Sequence, residues 1–223
     1  LDDVTGLFHN GFSFYFDHID PLQTHILNRP ELVIYLTDNA GEIYFDIGEY
    51  EKSDTHFSKA IWLFEQNRSS PSTANLASLG LVRTKVMKNE EDITLKSIQN
   101  NEYESSYKIH DGWKARYLSE IVLNIDDQHL TEAENWIKKA VEADKRNGMR
   151  WNLAKDYGTY SVILKKHGEK EQAAEKLGKA IDIFKECGAD GWVEKYEKKW
   201  LNFSQSDPIF CYWNCKSIMN SNS

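Results

Sequence analysis

The 223 residues carry a formal net charge of −8, with 40% hydrophobic and 13% aromatic side chains. That is enough apolar material for a packed core, which excludes a disordered chain. The acidic balance argues against a phosphate-backbone binder, whose contact face is basic. No run approaches the roughly 18 apolar residues of a membrane span. Leu1, Asp2 and Asp3 are not the basic start of a secretory leader, and the missing Met predicts a piece cut from a longer chain. Cys187, Cys211 and Cys215 make an odd count without a disulfide framework, so a reducing, cytoplasmic setting is expected.

Residues 1–30 read as a divergent or truncated N-terminal segment. Within it GFSFYF (11–16) fits a short strand or a buried helix turn, and Pro21 and Pro30 punctuate the residues after it. Asn28-Arg29-Pro30-Glu31 has the form of a helix start. A helix pair is predicted over 31–67. Leu32, Leu36, Ala40, Ile43, Tyr44 and Ile47 form the inward stripe of its first helix, and Gly48-Glu49 ends it. The second helix runs over 51–66 with Phe57, Ala60, Ile61 and Phe64 inward. Gly41 and Ala60 let the two backbones approach, with Tyr44 and Phe57 beside them.

Residues 68–75 (RSSPSTAN) are expected to be a polar loop, followed by a helix over 76–88 with Leu76, Leu79, Gly80 and Val82 inward. Residues 91–110 supply a weaker partner through Ile93, Leu95, Ile98, Tyr103, Tyr107 and Ile109. Two further hairpins are expected at 115–146, with a long turn Asn124–Leu130, and at 152–186. Gly188 suits a left-handed helix cap. Asp190 suits the N-cap of a terminal helix, 191–203, with Trp192, Tyr196, Trp200 and Phe203 on one stripe. Residues 204–223 read as an irregular tail.

One helical phrase recurs. Ala133, Ile137 and Ala140 are spaced by four and three; Ala173, Leu177 and Ala180 repeat that spacing 40 residues on; Ser53, Phe57 and Ala60 hold it 80 residues earlier. A small–large–small face at a fixed long period signals stacked helical hairpins. The expected fold is all-α: a right-handed superhelical solenoid of four hairpins over 31–203, closed by a C-terminal capping helix. Its unit of about 40 residues exceeds the common 34.

Gly41, Tyr44, Gly48, Tyr50, Phe57 and Ala60 resemble the tetratricopeptide-repeat signature, with Ser53 where that family usually has Ala. Tyr157, Tyr160, Gly168, Ala173, Leu177 and Ala180 resemble it again. The run from Gly80 to Leu201, and GADGWVEKYEK above all, is similar to the C-terminal repeat tail of large bacterial proteins. Those proteins carry an adenylate/guanylate cyclase domain, an AAA-type ATPase domain and then tetratricopeptide repeats. The resemblance implies a non-catalytic scaffold or regulatory module for a protein or peptide partner, the upstream domains of a parent chain among the candidates. No cofactor is expected, and the charge and hydropathy given above leave no nucleic-acid or membrane partner expected.

Other chemistry would need other residue patterns. No G-x-x-x-x-G-K-[ST] string is present to cradle phosphate. YLTDNAGEIYFD (35–46) resembles the DNAGE motif of metal-dependent carbohydrate-phosphate phosphatases. By that match Asp38 and Asn39 would be metal ligands, with Glu42 nearby and Asp38 ending a strand. The repeat reading instead places these residues on one continuous helix. No two of the seven histidines have the i, i+4 spacing of a zinc helix, and Cys211 and Cys215 lack a second ligand pair. Trp151, Tyr157 and Tyr160 fit either inter-helix packing, with Trp136, or an aromatic groove for a peptide. A grip on a terminal carboxylate is disfavoured because the corresponding concave positions, Asp38 and Glu42, are acidic. Lys138, Lys139, Lys145, Arg146 and Arg150 alternate with Glu142 and Asp144, as on a solvated helix face.

Overall fold

The structure, a computed structural model, describes residues 30–67, 71–90, 93 and 108–205. They form eight α-helices: α1 (Pro30–Asp46), α2 (Tyr50–Asn67), α3 (Pro71–Met87), α4 (Asp111–Ile125), α5 (Leu130–Asn147), α6 (Arg150–Lys166), α7 (Lys170–Glu186) and α8 (Asp190–Gln205). Short 3₁₀ turns occupy Lys108–His110 and Asp127–His129, and no strand occurs among the described residues. The expected features of residues 1–29, 94–107 and 206–223, including GFSFYF, Cys211 and Cys215, lie outside the described residues.

Helices pack on their chain neighbours, α1 on α2, α4 on α5 and α6 on α7 most closely. Four of the turns are closed by glycines in the left-handed region, Gly48 (φ 83°), Gly148 (φ 68°), Gly168 (φ 82°) and Gly188 (φ 67°). At the last of these Ala189 N–H donates to Phe184 O at 3.0 Å, the double-bonded ending that lets a helix stop within one residue. Such short turns force successive helices to run antiparallel. Five lead helices, α1, α3, α4, α6 and α8, start at Pro30, Pro71, Asp111, Arg150 and Asp190, at intervals of 41, 40, 39 and 40 residues.

The trailing helices α2, α5 and α7 bury the recurrent triad. Ser53, Ala60, Ala133, Ile137, Ala140, Ala173 and Ala180 are wholly buried, and Phe57 and Leu177 nearly so. Small residues on the contact line bring the helix axes together, and the large residue between them fills the space left beside it. Ser53 adds a polar tie: its Oγ donates to Gly41 O at 2.8 Å, and lies 2.9 Å from Thr84 Oγ1 on α3. Burying a side chain of the size of Phe57 contributes about 1.5–3 kcal/mol.

Several boundaries and faces differ from expectation. The segment 68–75 is not all loop, because α3 begins at Pro71. Proline lacks only an N–H that a first helical turn leaves unpaired anyway, and Ser72 is already buried one residue on. Asp190 is the first residue of α8 rather than the residue before it. The long turn at 124–130 is a helix end followed by a 3₁₀ turn, with Asp126 Oδ1 accepting from Gln128 N–H at 2.9 Å. The inward stripe of α1 is Ile34, Thr37, Asp38, Gly41 and Glu42, while Ile47 is 42% exposed. An apolar-periodicity reading fails there because the buried face of α1 is largely polar, and its Glu42 charge is answered by other helices. Asp144, expected on a solvated face, is completely buried.

Candidate functional site

The lead helices meet along a charged seam centred on Glu42. Glu42 Oε2 accepts hydrogen bonds from Arg83 Nη2 on α3 and from the Tyr117 hydroxyl on α4. Its Oε1 accepts from Lys155 Nζ on α6, and Arg116 Nη2 on α4 stands 3.7 Å away. One carboxylate of α1 is thereby tied to three other lead helices. Burial opposes its ionisation, but Arg83, Lys155 and Arg116 overcome that and hold the carboxyl well below the usual range.

Each cation is itself held in place. The Arg83 guanidinium lies between two rings, 3.5 Å from the Phe45 centroid and 3.8 Å from that of Tyr117, and its Nη1 donates to Glu120 at 2.8 Å. A planar, weakly hydrated guanidinium suits such a sandwich. Lys155 Nζ also donates to Asp46 Oδ2 at 2.8 Å. Arg116, fully buried, donates from Nη1 to Asp156 Oδ1 at 3.0 Å and to Asn152 O at 3.4 Å. Thr159 Oγ1 donates to Glu120 Oε1 at 2.9 Å. Lys195 Nζ on α8 reaches the Asp46 carbonyl at 2.5 Å.

A carboxyl pair lies behind Arg116. Asp144 and Asp156 are both completely buried and electrostatically coupled, and neither carboxyl oxygen of Asp144 nor Oδ2 of Asp156 has a hydrogen-bond partner among the described residues. Burial raises both carboxyls above their ordinary value, with Arg116 acting against it. Asp38, further up α1, is pushed up to about 7 by burial and by the neighbouring Glu42 charge.

Arg116, Lys155 and Lys195 each fall on the sixth residue of their helix, 39 and 40 residues apart. That repeat of a basic residue is present in the sequence, and a pattern followed through apolar residues alone misses it. Glu42 stands out in the sequence as an acidic position facing a partner; in the fold it is the acceptor for Arg83, Tyr117 and Lys155.

The residues expected at other sites are dispersed. Asp38 and Asn39 lie in the middle of α1, and Asn39 Nδ2 donates back to Tyr35 O at 2.7 Å. A strand ending at Asp38, the requirement of the phosphatase alternative, is replaced by unbroken helix. Trp151, Tyr157 and Tyr160 do not line a common groove. Trp151 packs edge-on against Phe184 and Trp192, Tyr157 is buried in the core of α5–α8, and the Tyr160 hydroxyl donates to Glu134 at 3.3 Å. Trp136 is half-buried with Lys139 Nζ 4.1 Å above its ring. It lines a separate concavity of about 320 Å³ between α4 and α5, where Asp111 and Glu142 are mixed with Lys114, Lys139 and Arg146. Cys187 is a half-buried thiol against the same α5–α8 core.

Among the described residues no helix is long and apolar enough to cross a membrane. In comparison with known proteins, the chain matches no family model, no curated protein and no solved structure.

Proposed function

We propose that the chain is a non-catalytic protein-interaction module: a tetratricopeptide-like, right-handed solenoid whose lead helices line a concave binding face. In this reading it serves in the cytoplasm as the regulatory tail of a multidomain bacterial signalling protein. The regular start of the lead helices, every 39–41 residues, supports it. Stacked helical units at a constant interval produce a continuous face built from equivalent positions, and that face recognises a peptide or protein by shape and charge. Thr159, a seam residue, is the tenth residue of α6, and Lys199 is the tenth of α8, one turn beyond the seam residue Lys195. Glu42 and Arg83 are committed to internal bonds, so a partner is recognised by the rim of the seam rather than by its centre.

The test is site-directed photo-crosslinking in cells, with a benzophenone side chain placed at Thr159, at Lys199 or at exposed Lys139 on α5. A discrete partner band from the two lead-helix positions and none from Lys139 is expected. Equal labelling from all three positions, or from none, would contradict a binding face on the lead helices.

A further inference from the structure

Helix α1 is held in two chemically different ways. Toward α2 and α3 it is fixed by apolar packing: Ile34 joins Phe57, Ala60, Phe64 and Ala77 in one cluster. Toward α6 and α8 the ties are polar. Lys155 bridges Glu42 and Asp46, and Lys195 donates to the carbonyl of Asp46, the last residue of α1. The apolar cluster that unites α6 and α8 draws on residues between Val141 and Tyr196, and contains none from α1. Lys195 also sits at a helix C-terminus, where unpaired carbonyls carry partial negative charge that favours a cation.

The contacts are therefore separable from the core. α1 and α8 are the first and last helices described, and the Asp46–Lys195 bond spans 149 residues of chain. In a stacked array, small rotations at successive helix interfaces add up at the ends. A bond between the ends consequently restrains every interface along the way. Loss of the two lysine ties leaves Glu42 paired with Arg83 and Tyr117, so α1 stays folded against α3.

We propose that α1 is a charged latch: Glu42 and Asp46, through Lys155 and Lys195, hold the first helix against α6 and α8 and keep the lead-helix face closed. Released, the latch lets the arc widen and bares Arg116 and Lys155 to an anionic group of a partner. That consequence rests on the lead-helix face being the binding face; the latch does not.

The latch is tested without any partner. In the full chain, with its three cysteines replaced by serine, nitroxide labels at exposed Ile47 and Lys198 report the distance between the end of α1 and α8. A second pair at Lys166 and Lys198 reports α6 against α8. In the background chain the 47–198 pair gives one narrow, short distance. Lys155→Met with Lys195→Met is expected to lengthen it by about a helix width, ~10 Å, while the 166–198 distance stays fixed. Lys195→Met alone, which leaves the buried Glu42–Lys155 pair in place, gives a partial shift of the same sign and serves if the double variant does not fold. An unchanged 47–198 distance in a variant that retains its helical circular dichroism would overturn the proposal. Equal lengthening of both pairs would also overturn it, because the change would then be general loosening.

Discussion

The ring of Phe57 on α2 occupies the space that a β-carbon on Gly80 of α3 would need: that carbon would lie 2.6 Å from Phe57 Cε1. Phe57 is 1% exposed and also faces Gly41 on α1, so the ring is enclosed by two bare backbones and cannot step aside. Gly80→Ala gains up to about 1 kcal/mol of helix propensity. Overpacking a closed core costs about 1–3 kcal/mol. A net loss of stability is expected by urea denaturation, relieved when Phe57→Leu is added. An Ala variant as stable as the parent would show that the α2–α3 contact is loose enough to admit a methyl group.

Ser53 stands where the recurrent triad of the other trailing helices has Ala133 and Ala173, and its hydroxyl makes a tie to Gly41 O and a contact with Thr84. Thr84 keeps its own bond to Gly80 O. Ser53→Ala leaves the Gly41 carbonyl one donor short and should lower stability by about 0.5–1.5 kcal/mol. Thermal melts of the two proteins measure it, and a stabilised Ala variant would mean that the hydroxyl is there at a cost.

Asp38 makes stability depend on pH in a defined direction. Its folded pKa is raised from 3.8 to about 7, so the protonated form is the one that the fold favours. The stability contributed below pH 3.8 is lost as pH rises through about 7. Asp38→Asn keeps a neutral side chain of the same shape. It should match the parent near pH 4 and exceed it at pH 8 by no more than about 4 kcal/mol. Urea melts of both proteins at several pH values give the difference directly; a constant offset would contradict the assignment. The Asp144–Asp156 pair acts in the same direction in both proteins and cancels in the comparison.

A divalent cation is expected to find no site at 38–42. Asp38 is held partly protonated near neutral pH, Glu42 is saturated by cations from other helices, and Asn39 bonds its own helix backbone. A hard cation needs several free oxygens converging on one point. Calorimetric titration with Mn²⁺ should show only heat of dilution. Heat that disappears in Asp38→Ala would put a metal site in α1 and restore the phosphatase alternative.

The trailing helices are legible in the sequence because their contacts are apolar and periodic. Ala133, Ile137 and Ala140 repeat as Ala173, Leu177 and Ala180, and both sets are buried on the same side. The lead helices are harder to read. In α1 the buried residues include Asp38 and Glu42, and in α6 they include Lys155 and Asp156, which a hydrophobicity pattern assigns to solvent. The burial of Glu42, Lys155 and Asp156 is explained only by partners 40 to 113 residues away, such as Arg83 and Lys155 for Glu42 and Arg116 for Asp156. Trp151, Tyr157 and Tyr160 leave two readings open in the sequence, inter-helix packing or a groove. Large aromatic residues on one helix suggest a groove, but short turns bring α5, α7 and α8 over them as core. Charged neighbours assign Asp144 to solvent, though Gly112 on α4 leaves the room that buries it.

The contact that organises the seam is Glu42 with Lys155, between the first described helix and one more than a hundred residues later. A double-mutant cycle of Glu42→Gln and Lys155→Met, read by urea denaturation, measures it most directly. Removing either partner alone costs one charge-assisted bond while the other partner keeps its remaining ties, Glu42 to Arg83 and Lys155 to Asp46, so each single variant should lose about 1.5–3 kcal/mol. The double variant should lose less than the sum, with a coupling of about 1–3 kcal/mol. A coupling indistinguishable from zero would mean that α1 and α6 do not meet and that no charged seam joins the lead helices.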